Sequence, residues 1–190
     1  MNNVLCDPKY DWSHIRVQDG SIYVKGGFYF SGFFYNKKAA AEQLKILFLD
    51  SRENLHPIES IYNIVENIRG NFAFIIDLQD SVLAVVDRIR SYPIYYSHEN
   101  GVLISNSQEH IKSCFDKLSM LELRMSGFVI NNKTLCKNIY QLLPGEFFLY
   151  KKNSCEHYRK RYYQFPVNSK KLSSKSEDDL LNELHNLHLT

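Results

Sequence analysis

Apolar positions recur along this chain with two different periods. Asn71 to Asp77 (NFAFIID) and Val82 to Asp87 (VLAVVD) are short runs rich in β-branched and aromatic residues, and Leu78-Gln79-Asp80-Ser81 between them reads as a turn. A second pair, Tyr92 to Ser97 and Val102 to Ser105, is joined through His98-Glu99-Asn100-Gly101, where Asn-Gly favours a tight hairpin because both residues tolerate positive φ. Four strands with short links predict an antiparallel meander, and their lack of polar alternation predicts a sheet covered on both faces. His14 to Val17 and Ser21 to Phe30 read as strands around Asp19-Gly20; Glu146 to Lys151 and Cys155 to Tyr158 form a last hairpin around Lys152-Asn153-Ser154.

The other period is helical. Lys37 to Asp50 is rich in Ala, Glu, Gln, Leu and Lys, with Ala40, Leu44 and Leu47 at helical spacing and Asn36 placed as N-cap. Pro57 to Asn67 sets Ile58, Ile61, Tyr62 and Val65 on one face, with Pro57 suited to the first turn. Leu118 to Met125 predicts a short helix. Strands and helices in separate runs imply an α+β fold, with helices packed outside a stacked pair of antiparallel sheets. The polar segment Pro166 to Ser176 reads as a linker. Ser176 then caps a helix with Glu177, Asp178 and Asp179 in its first turn and Leu180, Leu181, Leu184 and Leu187 on one face. A helix this short needs a partner for that stripe.

Composition narrows the class. At 190 residues, 44% hydrophobic and 23% charged, the chain is globular and suits one domain with a short appendage. Its apolar stretches, such as Val82 to Val86, fall far short of the roughly 20 residues that cross a bilayer, and no basic region followed by an apolar one opens the sequence as in a secretory signal. Cys6, Cys114, Cys136 and Cys155 are scattered without a CxxC pair, as in a cytoplasmic protein with reduced thiols. The seven histidines form no HxH or HExxH pattern, so no metal is expected.

The net charge of +2 is uneven: residues 1–150 carry 15 basic and 16 acidic groups, residues 151–175 eight basic groups and Glu156, and residues 176–190 four acids and no Lys or Arg. The basic stretch, with Tyr158, Tyr162, Tyr163 and Phe165, has a composition that also serves nucleic-acid binding. Its place in a closing hairpin predicts packed tyrosines and solvated lysines, and no nucleic-acid partner. Arg90, beside a turn, is expected in an ion pair.

Several segments, in order, resemble the class II glutamine amidotransferase domain of the asparagine synthase family. Ser31-Gly32-Phe33-Phe34-Tyr35-Asn36 before a helix is similar to that family's Asn-Gly-Glu-Ile-Tyr-Asn turn, and Ile68-Arg69-Gly70-Asn71-Phe72-Ala73-Phe74 to its Leu-x-Gly-x-Phe-Ala-Phe strand. Asp87-Arg88-Ile89-Arg90-Ser91-Tyr92-Pro93-Ile94-Tyr95-Tyr96 resembles the Asp-x-x-Gly-x-x-Pro-Leu-Tyr-Tyr element, and Leu143-Pro144-Gly145-Glu146 the Leu-Pro-Pro-Gly-Glu before the final hairpin. The resemblance covers roughly residues 22–165. It implies a four-layer αββα sandwich of the N-terminal-nucleophile type over residues 1–165, with 166–190 as linker and first helix leading into a synthetase domain.

The resemblance also implies a chemistry that these residues do not supply. Such glutaminases use an N-terminal cysteine whose free α-amino group takes the thiol proton; here Asn2 follows Met1. Cys6 would become terminal only if Met1 to Leu5 were removed, and Asp7-Pro8 follows it where the family has Gly and an apolar strand. Cys6 is therefore expected to be a small apolar filler in a loosely held N-terminal segment. The Arg-His-Arg-Gly-Pro-Asp and Gly-Ser-Asp-Thr-Glu segments are absent, Ser31 replaces the oxyanion Asn, and Phe33 replaces the Glu of the turn. The resemblance thus points to a vestigial pocket at Ser31, Gly32, Phe33 and Asn36, filled by aromatics such as Phe33.

The expected function is a non-catalytic scaffold domain of an asparagine-synthase-like, ATP-dependent amide-forming ligase. ATP and Mg would be held by the synthetase (ATP-pyrophosphatase) domain, supplied in cis or in trans, and a homodimer is compatible with this role. No cofactor is expected in the chain itself. Two alternatives stay open: an active glutaminase using Cys6 after N-terminal processing, and a stand-alone binding module.

Overall fold

The computed structural model describes residues 3–49, 58–98, 101–111, 113–165 and 176–188. In chain order the elements are β1 (Val4–Leu5), β2 (Ser13–Val17), β3 (Gly20–Phe30), β4 (Phe33–Tyr35), α1 (Lys37–Phe48), α2 (Ile58–Asn67), β5 (Arg69–Leu78), β6 (Ser81–Val86), β7 (Tyr95–Ser97), β8 (Leu103–Ser105), α3 (Lys117–Ser126), β9 (Tyr140–Gln141), β10 (Glu146–Lys151), β11 (Glu156–Arg161) and α4 (Glu177–His188). They form a mixed α+β structure with two sheets. The larger runs β11-β10-β6-β5-β3-β2, with β4 also on β3; the smaller runs β1-β8-β7-β9. Pairing is antiparallel except between β1 and β8, where Val4 and Leu5 lie parallel to Ile104 and Ser105.

The unbroken apolar runs are explained by burial on both faces. Phe72, Phe74 and Ile76 of β5, Leu83 and Val85 of β6, and Phe147 and Leu149 of β10 face one core. The alternate residues Ala73, Ile75, Val82, Ala84, Val86 and Phe148 face another, which lies between the sheets. Helix α1 closes the first core with Ala40, Ala41, Leu44 and Phe48, and α2 with Ile61 and Val65, spaced along one face of each helix. Asn36 starts α1 as expected: its side-chain oxygen accepts from the backbone N–H groups of Lys38 and Ala39, both at 3.1 Å.

Three expectations are corrected. The four central strands are not one meander: β5–β6 is a hairpin of the large sheet and β7–β8 a hairpin of the small one. The crossover is set by Asp87, which is fully buried. Its carboxylate accepts backbone N–H groups from Phe72 (3.1 Å), Ile89 (2.8 Å) and Ser91 (3.0 Å), while Arg90 turns the chain at φ +57°. Second, the fourth layer of the sandwich is not formed among the described residues, since α3 buries only Ser119. Third, the N-terminal segment is held rather than loose. β1 is hydrogen-bonded to β8, and the Asn106 amide exchanges bonds with the Asp7 backbone at 2.9 and 3.1 Å.

Asp50 and Pro57, expected in the first two helices, and Glu99 and Asn100 of the expected hairpin lie outside the described residues, as does the linker up to Lys175. No described helix is long and apolar enough to cross a membrane.

Candidate functional site

Ser31 and Gly32 form the two-residue turn between β3 and β4, with Phe30 paired to Phe33. Their φ values of +50° and +83° suit a turn whose twist matches that of the strands it joins. A Cβ built on Gly32 would meet nothing within 4 Å, and Phe33 is 69% exposed. Asn36 spends its side chain on the helix cap. The structure therefore places Ser31, Gly32, Phe33 and Asn36 on an exposed hairpin tip and a helix start. Phe33 fills no pocket.

Cys6 follows β1 and packs against the core between the sheets. Burial, and secondarily the negative charge of Asp77, pushes its thiol up to about 12. A cysteine nucleophile needs the opposite, a thiolate favoured by a neighbouring cation or base. The bond preceding Cys6 is also part of the fold, since the Leu5 carbonyl accepts from Ser105 Oγ at 2.7 Å.

The structure reveals a different feature, a cleft of about 720 Å³ where segments 9–12, 92–95 and 106–109 meet Lys25 of β3. Trp12, Tyr92, Tyr95 and Tyr10 give it aromatic walls. Asp11, left-handed at φ +56°, lies between Lys37 Nζ (2.6 Å) and Lys25 Nζ (3.4 Å). The hydrogen bond from Lys37, then that from Lys25, holds its carboxyl below the usual range. Lys25 also lies 5.7 Å from the centre of the Tyr92 ring. Lys9 bonds Glu109 at 2.8 Å and reaches Asp7 at 3.3 Å. Neither cysteine nor histidine lines the cleft, and the Ser107 hydroxyl accepts from the Glu109 N–H at 3.3 Å. Planar apolar walls beside paired charges suit holding a small polar molecule more than attacking one.

Sequence reasoning missed this cleft because its lining comes from four separated stretches. Trp12, the chain's sole tryptophan in a polar neighbourhood, was the available signal.

The basic hairpin forms the edge of the large sheet. Tyr162 is buried, its hydroxyl donating to the Val86 carbonyl at 2.7 Å; Tyr163 lies under the Arg88 guanidinium at 4.2 Å. Arg159 and Arg161 approach Glu146 at 3.9 and 3.5 Å, whereas Phe165 is exposed. Arg90 donates to the Gln141 side chain, not to the expected ion partner. Among the described residues no three His, Cys, Asp or Glu side chains are grouped to hold a metal.

No protein-family model matches the chain, and no curated protein matches it. Solved structures similar in backbone include two enzymes. One is the allosteric regulatory enzyme of purine biosynthesis, at 12% identity and TM-score 0.46, over 80% of this chain and 31% of that one. The other is glutamine phosphoribosylpyrophosphate amidotransferase from B. subtilis complexed with ADP and GMP, at 11% identity and TM-score 0.45, over 81% of this chain and 31% of that one. The chain thus spans 31% of the length of each. Likeness of this degree assigns no residue a role, and the α+β architecture stands on the two sheets and two cores themselves.

Proposed function

We propose that this chain is an amidotransferase-type domain that does not hydrolyse glutamine and that serves as the scaffold of an asparagine-synthase-like, ATP-dependent amide-forming ligase. The observation that carries the reading is Cys6. Its thiol is half-buried against the core between the sheets, its proton is held more tightly than in water, and the strand before it is paired into the small sheet. Freeing its amine by cleavage would remove β1, including buried Val4, and leave Ile104 of β8 without its neighbour. The exposed Ser31-Gly32 turn and the ordered resemblance of four segments to that family support the same reading. ATP and Mg belong, on this view, to a synthetase segment acting with the domain.

The test is ammonia release from glutamine by the purified chain, read by coupled glutamate dehydrogenase, together with labelling by 6-diazo-5-oxo-L-norleucine. The expected result is no ammonia above a Cys6→Ala control and no adduct. Ammonia release with an adduct on Cys6 overturns the proposal. The cleft favours a second reading, a binding module. Saturable quenching of Trp12 emission by millimolar glutamine, without hydrolysis, would select it.

A further inference from the structure

Helix α3 is fixed in place yet covers little of its own apolar surface. Asp116 caps it, accepting from the Leu118 N–H at 2.9 Å, Gly127 ends it in the left-handed conformation, and Glu122 pairs with Lys133 at 3.5 Å. On this anchored helix and its flanks, Phe115, Leu118, Leu121, Met125 and Phe128 are all more than half exposed, Met125 at 80%. Leu118, Leu121 and Met125 follow one another at three- and four-residue steps, which places them on a single stripe. A contiguous apolar patch of this kind marks an interaction surface.

The same chain carries a helix with the complementary properties. In α4, Leu180, Leu184 and Leu187 recur at four- and three-residue steps, the same seam spacing that pairs helices in coiled coils. Leu180 and Leu181 are exposed, so α4 does not cover them against its own body. Its acids Glu177, Asp178, Asp179 and Glu183 give the helix a charge of −4, with its histidines neutral. Residues 115–137 carry Lys117, Arg124, Lys133 and Lys137 against Asp116 and Glu122, for +2.

We propose that the α3 face is the seat for helix α4 of a second copy of this chain, exchanged reciprocally across a two-fold axis. Each copy then covers the other's open stripe, and acidic ends meet basic flanks on both sides. The occupant is argued from matched seam spacing, opposite charge, and the exposure of the α3 stripe and of Leu180 at the start of α4 within one chain. The ten residues between Phe165 and Ser176 extend at most roughly 36 Å, and the test separates docking on a second copy from docking on the chain's own α3.

The experiment is light scattering on the full chain over a concentration series, with Leu121→Glu on α3 and Leu180→Glu on α4. Both positions are exposed, and circular dichroism checks that each variant folds. The expected result is a concentration-dependent dimer that either substitution weakens about 30-fold, the size of a hot-spot loss. Mixing the two variants should partly restore it, because one wild-type α3 then meets one wild-type α4. A monomer at every concentration overturns the proposal, whether or not hydrogen exchange finds α4 docked on its own α3. A dimer indifferent to both substitutions, or one that mixing does not restore, overturns it equally.

Discussion

Asp87→Ala is the most informative single perturbation of this fold. Asp87 Oδ2 accepts from the Phe72 and Ser91 backbone N–H groups and Oδ1 from that of Ile89. Alanine leaves all three donors without that partner. The bond to Phe72 is fully buried, and an unsatisfied buried donor costs about 1–3 kcal/mol; the other two are half-buried, regain some water, and cost about 1 kcal/mol each. The total, roughly 3–5 kcal/mol, is a large part of the ~5–15 kcal/mol that holds a domain together. In melting temperature this is a fall of roughly 6–20 °C for a chain of this size. Urea unfolding followed through Trp12, which packs against the core between the sheets, measures it without any added probe. Asp87→Asn keeps one carbonyl oxygen and should lose about half as much. An Asp87→Ala protein within 1 kcal/mol of wild type would refute the claim that this carboxylate sets the crossover.

Further outcomes follow from the same geometry. Gly26→Ala should prevent stable folding, because its φ is +76° and the new Cβ would sit 2.1 Å from the Asn71 carbonyl oxygen and 2.6 Å from the Tyr92 ring. Gly127→Ala, equally left-handed but in open space, should cost only about 1 kcal/mol in the same urea titration. Ser31→Asn should raise stability by about 0.5 kcal/mol, since Asn-Gly is the preferred pair for a turn with both φ values positive, and it should not create glutaminase activity. Cys6 should react with iodoacetamide at pH 8 more slowly than exposed Cys114 and Cys155, as peptide mass spectrometry would read; equal rates would contradict its partial burial and raised thiol. The same shift sets a sign. The folded state keeps the Cys6 proton up to about 12 while the unfolded chain releases it near 9, so the unfolded state holds fewer protons between those values. Stability therefore falls as pH rises above 9. Cys6→Ala should flatten that fall.

What the sequence disclosed was what periodicity can carry. Phe72 to Ile76 and Val82 to Val86 are apolar on both faces because both faces are covered, and helix α1 begins at Asn36 because its side chain satisfies two free N–H groups. The crossover escaped because one buried carboxylate and one left-handed arginine, not a pattern, direct it. β1 and β9 escaped because two-residue strands have no period. The exposed face of α3 escaped because spacing reports that a stripe exists, not whether the same chain covers it. At the candidate site, the turn Ser31-Gly32 was legible as a turn, but its isolation from any cavity depends on where β3 and β4 end.

The parallel pairing of β1 with β8 joins positions one hundred residues apart, and this orders events at the ribosome. Val4 and Leu5 leave the exit tunnel early and have nowhere to go until Ser105 has followed them. At ~5–20 residues per second, the interval is roughly 5–20 s, after which the strand anneals to the sheet. A peptidase that is to act on this segment meets it unpaired chiefly in that window; once β8 arrives, the segment is held as a strand, with the Leu5 carbonyl before Cys6 bonded to Ser105.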